Sequence, residues 1–171
     1  TVAKEILLIE KVNKKYKRFF LEGLGSSLVN QDNLIPEGNA NSLNTLPQKY
    51  IRFIYEGYGK KIGKKYQKIT YLPYDPREEG LKVHWDISKC IEEINKLDEA
   101  FRSYAYIGLG EHICSWDLYY HIYKGLRITS KIEERYKPYW YTGYALEFGR
   151  MRFGFVAESE ELCFIQGINK K

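Results

Sequence analysis

The sequence predicts an α+β fold, a single compact domain in which antiparallel hairpins pack with three to four helices. Three observations carry this expectation. Segments with a helical apolar period are interspersed with short β-like runs, in no regular βαβ alternation. The 171 residues suit one domain over 1–171. An apolar fraction of 44% with 16 tyrosines is enough to pack a core without staples.

From Val2 to Leu21 the apolar residues Ile6, Ile9, Val12, Tyr16 and Phe20 recur at three- and four-residue steps, which predicts a helix ending near Gly23 or Gly25. Residues 24–48 are rich in Ser, Asn, Gly and Pro and read as a long polar loop. Tyr50 to Glu56 alternates as a strand would. Gly57, Gly59 and Gly63 then punctuate the chain before the β-like run Tyr66 to Leu72, which predicts a hairpin with the lysine-rich stretch 60–65 at its tip.

A short strand, Leu81 to Trp85, leads to a helix whose apolar face holds Cys90, Ile91, Ile94, Leu97, Phe101 and Tyr104, with Asp86 or Ser88 as its N-cap. Residues 116–124 predict another helix, capped by Ser115. Ser130 to Glu133 has the spacing of a capping box and opens a short helix that Pro138 closes. Residues 143–157 read as two aromatic strands around Gly149, and no internal repeat is evident.

Cys90, Cys114 and Cys163 are odd in number, far apart and never in a CxxC pair. This predicts neither a zinc framework nor a disulfide scaffold, and fits a cytoplasmic or other reducing compartment. No apolar run reaches the roughly 18 residues of a membrane span. The chain does not begin with Met, which leaves room for a larger parent protein.

Charge is uneven. Residues 1–70 hold 13 Lys and Arg against 6 Asp and Glu, whereas residues 71–171 hold 14 against 16. The positive charge gathers in two clusters interleaved with tyrosine: Lys11, Lys14, Lys15, Tyr16, Lys17 and Arg18, then Tyr58, Lys60, Lys61, Lys64, Lys65, Tyr66 and Lys68. Lysines attract phosphates and release counterions, and tyrosine rings stack on exposed bases. The expected function is therefore a non-catalytic domain that binds nucleic acid, DNA or RNA. Against it stands the ordinary reading, in which late lysines complement a helix dipole or keep a surface solvated.

Two other readings come from different features. The aromatic run 136–144 would suit a protein-binding inhibitor or immunity-type module, because tyrosine and tryptophan dominate interface hot spots, while the basic clusters would equally suit an acidic protein partner. His84, Asp86, Asp117 and His121 are the candidate ligands of a metal-dependent nuclease, with Asp117 and His121 four residues apart. No HExxH, catalytic triad or complete phosphate loop accompanies them, so no cofactor and no catalytic residue is expected.

One short stretch, Phe153-Gly154-Phe155-Val156, resembles the core of the RNA-recognition-motif octamer, whose aromatics stack on bases. That resemblance would imply RNA binding from a central strand. Met151 and Arg152 stand where the octamer has a basic residue and a glycine, and Glu158 replaces its last aromatic.

Overall fold

The computed structural model describes residues 8–29, 43, 46–71, 81–119 and 128–153, leaving out the side chains at 71, 81, 82, 117–119, 152 and 153. Among these residues the chain forms five α-helices and one two-stranded antiparallel sheet. In chain order they are α1 (Lys14–Ser27), α2 (Gln48–Lys65), β1 (Gln67–Tyr71), β2 (Leu81–Trp85), α3 (Ile87–Asn95), α4 (Glu99–Tyr119) and α5 (Lys137–Phe153). The α+β class holds, but helices dominate it.

Local chemistry sets the boundaries. A 3₁₀ turn at Ile9–Lys11 ends in extended Val12, and the Asn13 side chain then caps α1 by accepting from Lys15 N at 3.0 Å. Asp86 caps α3 in the same way, accepting from Lys89 N at 3.3 Å. The single long helix expected through Tyr104 is divided into α3 and α4. Arg102 spans the break, donating to the carbonyls of Leu97 and Asn95 at 3.0 and 2.9 Å, which satisfies acceptors left over at the end of α3. β1 pairs with β2 in the register Gln67↔Trp85 to Tyr71↔Leu81.

Several expected elements are not formed. The hairpin over 50–72 is replaced by helix α2, whose apolar side chains Ile51, Ile54, Tyr55, Tyr58 and Ile62 recur at helical steps and are buried. Only 67–71 of that stretch is a strand, and its partner is 81–85. The strands expected over 143–157 are helix α5 as far as 153, and 154–157 lie outside the described residues together with most of the resemblance at Phe153 to Val156. Gly23 and Gly25 lie inside α1 and do not end it. Pro138 sits in the first turn of α5, where a missing amide costs nothing, and therefore opens a helix that it was expected to close. Ser115 is inside α4, donating to the His112 carbonyl at 2.8 Å, and caps nothing. Much of the loop 24–48 and all of 120–124 lie outside the described residues.

An internal repeat does exist, and the helices reveal it. Four of them carry the same series: an aromatic, an aromatic three residues later, a glycine four after that, and a small residue two beyond. The series is Tyr16, Phe19, Gly23, Gly25 in α1; Tyr50, Phe53, Gly57, Gly59 in α2; Phe101, Tyr104, Gly108, Gly110 in α4; and Tyr136, Tyr139, Gly143, Ala145 just before and within α5. These four helices pack in the order α1, α2, α4, α5.

Each junction is built alike. At the α1–α2 junction a Cβ on Gly25 would collide with the Ile54 carbonyl, and one on Gly57 with the Glu22 carbonyl. Between α2 and α4 the colliding pairs are Gly59 with Ala105 and Gly108 with Glu56. Between α4 and α5 they are Gly110 with Trp140 and Gly143 with Ile107. Six glycines therefore let three pairs of helix backbones touch, an approach that any side chain would block.

The contacts also fix direction. Near their starts α1 and α2 meet through Lys17 and the Tyr50 hydroxyl, and further along Ser26 donates to the Gly57 carbonyl at 3.1 Å. In α2 and α4, Tyr55 stacks on Phe101 at 4.6 Å early, and Gly63 lies against the His112 ring late. In α4 and α5, Tyr106 stacks at 4.8 Å on Tyr136, the residue before α5, and further along Glu111 lies 4.0 Å from Arg150. The four helices thus run parallel, one layer of repeated units joined by long crossovers. α3 lies against α2 and α4, and Val83 and Trp85 of the hairpin complete the core.

Candidate functional site

Two places stand out from the core: a charge cluster that crosses the helix layer, and the outer helix faces at its two ends. In the cluster, Arg18 of α1 lies 2.7 Å from Glu22, 3.5 Å from Glu56 and 3.1 Å from Glu111. Lys60 of α2 lies 2.6 Å from Glu22 and 2.5 Å from Glu111. Arg52 is 2.6 Å from Glu56, and Arg150 is 2.6 Å from Glu147. Arg18 of α1 reaches past α2 to Glu111 of α4, which the glycines of α2 permit.

Burial pushes the Glu56 carboxyl up to about 7, with Glu111 adding to the rise and Arg52 and Arg18 opposing it. Burial also works against ionised Glu22, yet Lys60 and Arg18 outweigh it and hold that carboxyl below its ordinary value. Burial opposes the charge on Lys60, but Glu111 and Glu22 raise its pKa. Beside the cluster, burial and the nearby Lys64 and Lys60 hold His112 down at about 4, so it is neutral at physiological pH. Four cations face four carboxylates here. Bound by these mutual contacts, the cluster suits fixing the register of the helices.

The basic residues named from sequence separate into two kinds. Arg18 and Lys60 belong to the inner cluster, and Lys17 lies 3.3 Å from Glu10. Tyr58 is fully buried, with no ring face on the surface. Tyr66 is half-buried, packed against the core, with its hydroxyl 3.3 Å from Glu93. Lys11, Lys14, Lys15, Lys64, Lys65 and Lys68 are exposed, and Lys61 is half-buried. Because the helices are parallel, Lys11 to Lys15 stand at one end of the layer and Lys64 to Lys68 at the other. The 18-residue α2 sets these ends about 27 Å apart.

Of the metal candidates, His84 is exposed on β2 and Asp86 is occupied in capping α3. The Asp117 side chain and His121 lie outside the described residues. Among the described residues no group of three His, Cys, Asp or Glu side chains converges as metal ligands would. Burial raises the Cys90 thiol to about 12, far from a nucleophile's range. No helix of the described residues is long and apolar enough to cross a membrane.

The end faces are what sequence reasoning missed. Gly23 of α1 holds the position at which Gly57, Gly108 and Gly143 each receive the preceding helix, but among the described residues nothing lies within 4 Å of where its Cβ would stand. Tyr16 and Phe19 beside it are 56% and 66% exposed. At the other end, Tyr141, Ala145 and Phe148 of α5 are exposed. Their counterparts on the three other helices are buried: Leu21, Tyr55 and Tyr106 for Tyr141, and Leu28, Ile62 and Ile113 for Phe148. The signal that would have found them is the spacing of the aromatic–glycine series, whose glycines fall at 23, 57, 108 and 143.

No protein-family model, curated protein or solved structure matches this chain.

Proposed function

We propose that the chain is a non-catalytic helical-repeat module that binds another protein by accepting a helix on the outer face of α1. The observation that supports this is the bare Gly23. Three copies of the same aromatic–glycine face are occupied within the molecule, and the fourth presents Tyr16, Phe19 and Gly23 to solvent. Exposed aromatics beside a residue without a side chain make a surface that a helix with a small residue of its own can approach closely. A photo-crosslinking residue at position 19 tests this in cells producing the chain. The expected result is a discrete crosslinked species that is absent when the residue sits at exposed Lys89, and that disappears with Gly23→Leu. Equal crosslinking at both positions would sink the reading.

A second reading rests on the exposed lysines at the start of α1. Lys11, Lys14 and Lys15 stand beside exposed Tyr16, a combination able to contact phosphates and stack a base. Fluorescence anisotropy with labelled single- and double-stranded oligonucleotides at two salt concentrations checks it. Binding that weakens steeply with salt, and is lost when the three lysines are replaced by Gln, would support it. Absence of binding at low salt would remove it.

A further inference from the structure

The end face of α5 is the complement of the open face of α1, and the internal junctions show how the two fit. In each junction the leading helix offers a small residue (Gly25, Gly59 or Gly110), and the following helix offers the glycine of the next series (Gly57, Gly108 or Gly143). α5 has Ala145 at the first of these positions, exposed, with Phe148 of the same face 39% exposed. α1 has Gly23 at the second, with no atom of the described residues within 4 Å of where its Cβ would stand. We infer that α5 of one molecule docks in parallel on α1 of a second copy of this chain, in the arrangement of the three internal junctions but at a wider spacing.

This inference rests on the docking reading of α1 and names the occupant. The contact is heterologous: one copy gives its α5 face and the other its α1 face. Each bound copy still carries one unused face of each kind, so association extends until a ring closes or a filament forms. Ala145 in place of glycine is the one departure. At the internal spacing its methyl group would collide with the facing backbone, so the junction between molecules must be wider than the internal three.

Mixing two singly blocked variants tests the inference. Gly23→Leu fills the α1 face and leaves α5 intact, while Phe148→Asp spoils the α5 face and leaves α1 intact. Both positions are on the surface, and Tyr16→Glu and Tyr141→Glu serve as second variants of the same two faces. By sedimentation equilibrium the wild-type chain is expected to exceed the 20.2 kDa monomer increasingly as its concentration rises. Each variant alone is expected to stay monomeric. Their equimolar mixture is expected to form a dimer and stop there, because one good face of each kind remains. A mixture that stays monomeric, variants that associate as the wild type does, or a monomeric wild-type chain at submillimolar concentration would each overturn the second-copy occupant. A monomeric wild-type chain that still crosslinks specifically through position 19 would leave the docking reading standing with a different partner.

Discussion

Gly57 and Gly23 hold the same place in the same local series, yet one is sealed and the other bare. Gly57 lies under the backbone of α1, where a Cβ would collide with the Glu22 carbonyl, while a Cβ on Gly23 would meet nothing among the described residues. The aromatic neighbours follow suit: Tyr50 and Phe53 of α2 are half-buried against the core, whereas Tyr16 and Phe19 of α1 face solvent. One sequence device thus serves two ends. Inside the layer it is packing, and at the edge it is a surface that a further helix would complete.

The difference is sharpest under substitution. Gly108→Leu forces a side chain into the Glu56 backbone and is expected to cost on the order of 4 kcal/mol or more in urea unfolding, since neither main chain can yield without parting α2 from α4. A loss below about 1 kcal/mol would mean that the helices do not meet through this glycine.

Next in size is the charge cluster that ties the same helices together. Glu111→Ala strands Arg18 and Lys60 partly buried without one of their carboxylates, for an expected loss of about 3 kcal/mol. An unchanged unfolding midpoint would show that the cluster is already solvated.

A pH titration separates two members of this region with opposite signs. His112, depressed from 6.5 to about 4, contributes stability present above pH 6.5 and lost as pH falls toward 4. Glu56, raised from 4.5 to about 7, contributes stability present below pH 4.5 and lost as pH rises through 7. Between these limits the two oppose each other. Glu56→Gln should therefore leave a variant that weakens on acidification, and His112→Gln one that weakens on neutralisation. Unfolding midpoints across that range check both slopes, and equal slopes in the two variants would contradict the assignment.

The smallest effect belongs to the edge. Gly23→Leu is expected to leave monomer stability unchanged or raise it by about 0.5 kcal/mol, since it only replaces a poor helix former with a good one. Thermal unfolding at low protein concentration reads this. A loss comparable to that of Gly108→Leu would show that the α1 face is already covered by the chain itself.

The strands at 67–71 and 81–85 were legible because β-branched and aromatic residues alternate there, and the Asp86 cap because an acidic residue precedes an apolar helical face. Glycine misled the rest. Gly23 and Gly25 resemble a helix stop, and Gly57, Gly59 and Gly63 resemble a turn, because glycine's usual local meaning is conformational freedom. Here its meaning is tertiary: the absent side chain makes room for another helix, which no local window shows. The same cause hid the repeat, whose copies share only aromatics and glycines across unequal spacings. Nor could the lysine clusters be sorted from sequence, because Glu56 and Glu111, which draw Arg18 and Lys60 inward, lie far along the chain.

Parallel packing of the repeated helices is the claim on which both the sealed and the open faces depend, and paired distances test it most directly. Nitroxides on non-canonical residues at positions 14 and 49 would sit at the same end of α1 and α2, whereas labels at 14 and 64 would sit at opposite ends. Pulsed electron resonance is predicted to give the shorter distance for 14 and 49, and one longer by roughly 20 Å for 14 and 64. The reverse order would mean that the helices run antiparallel, and the repeat with its open face on α1 would fall with it.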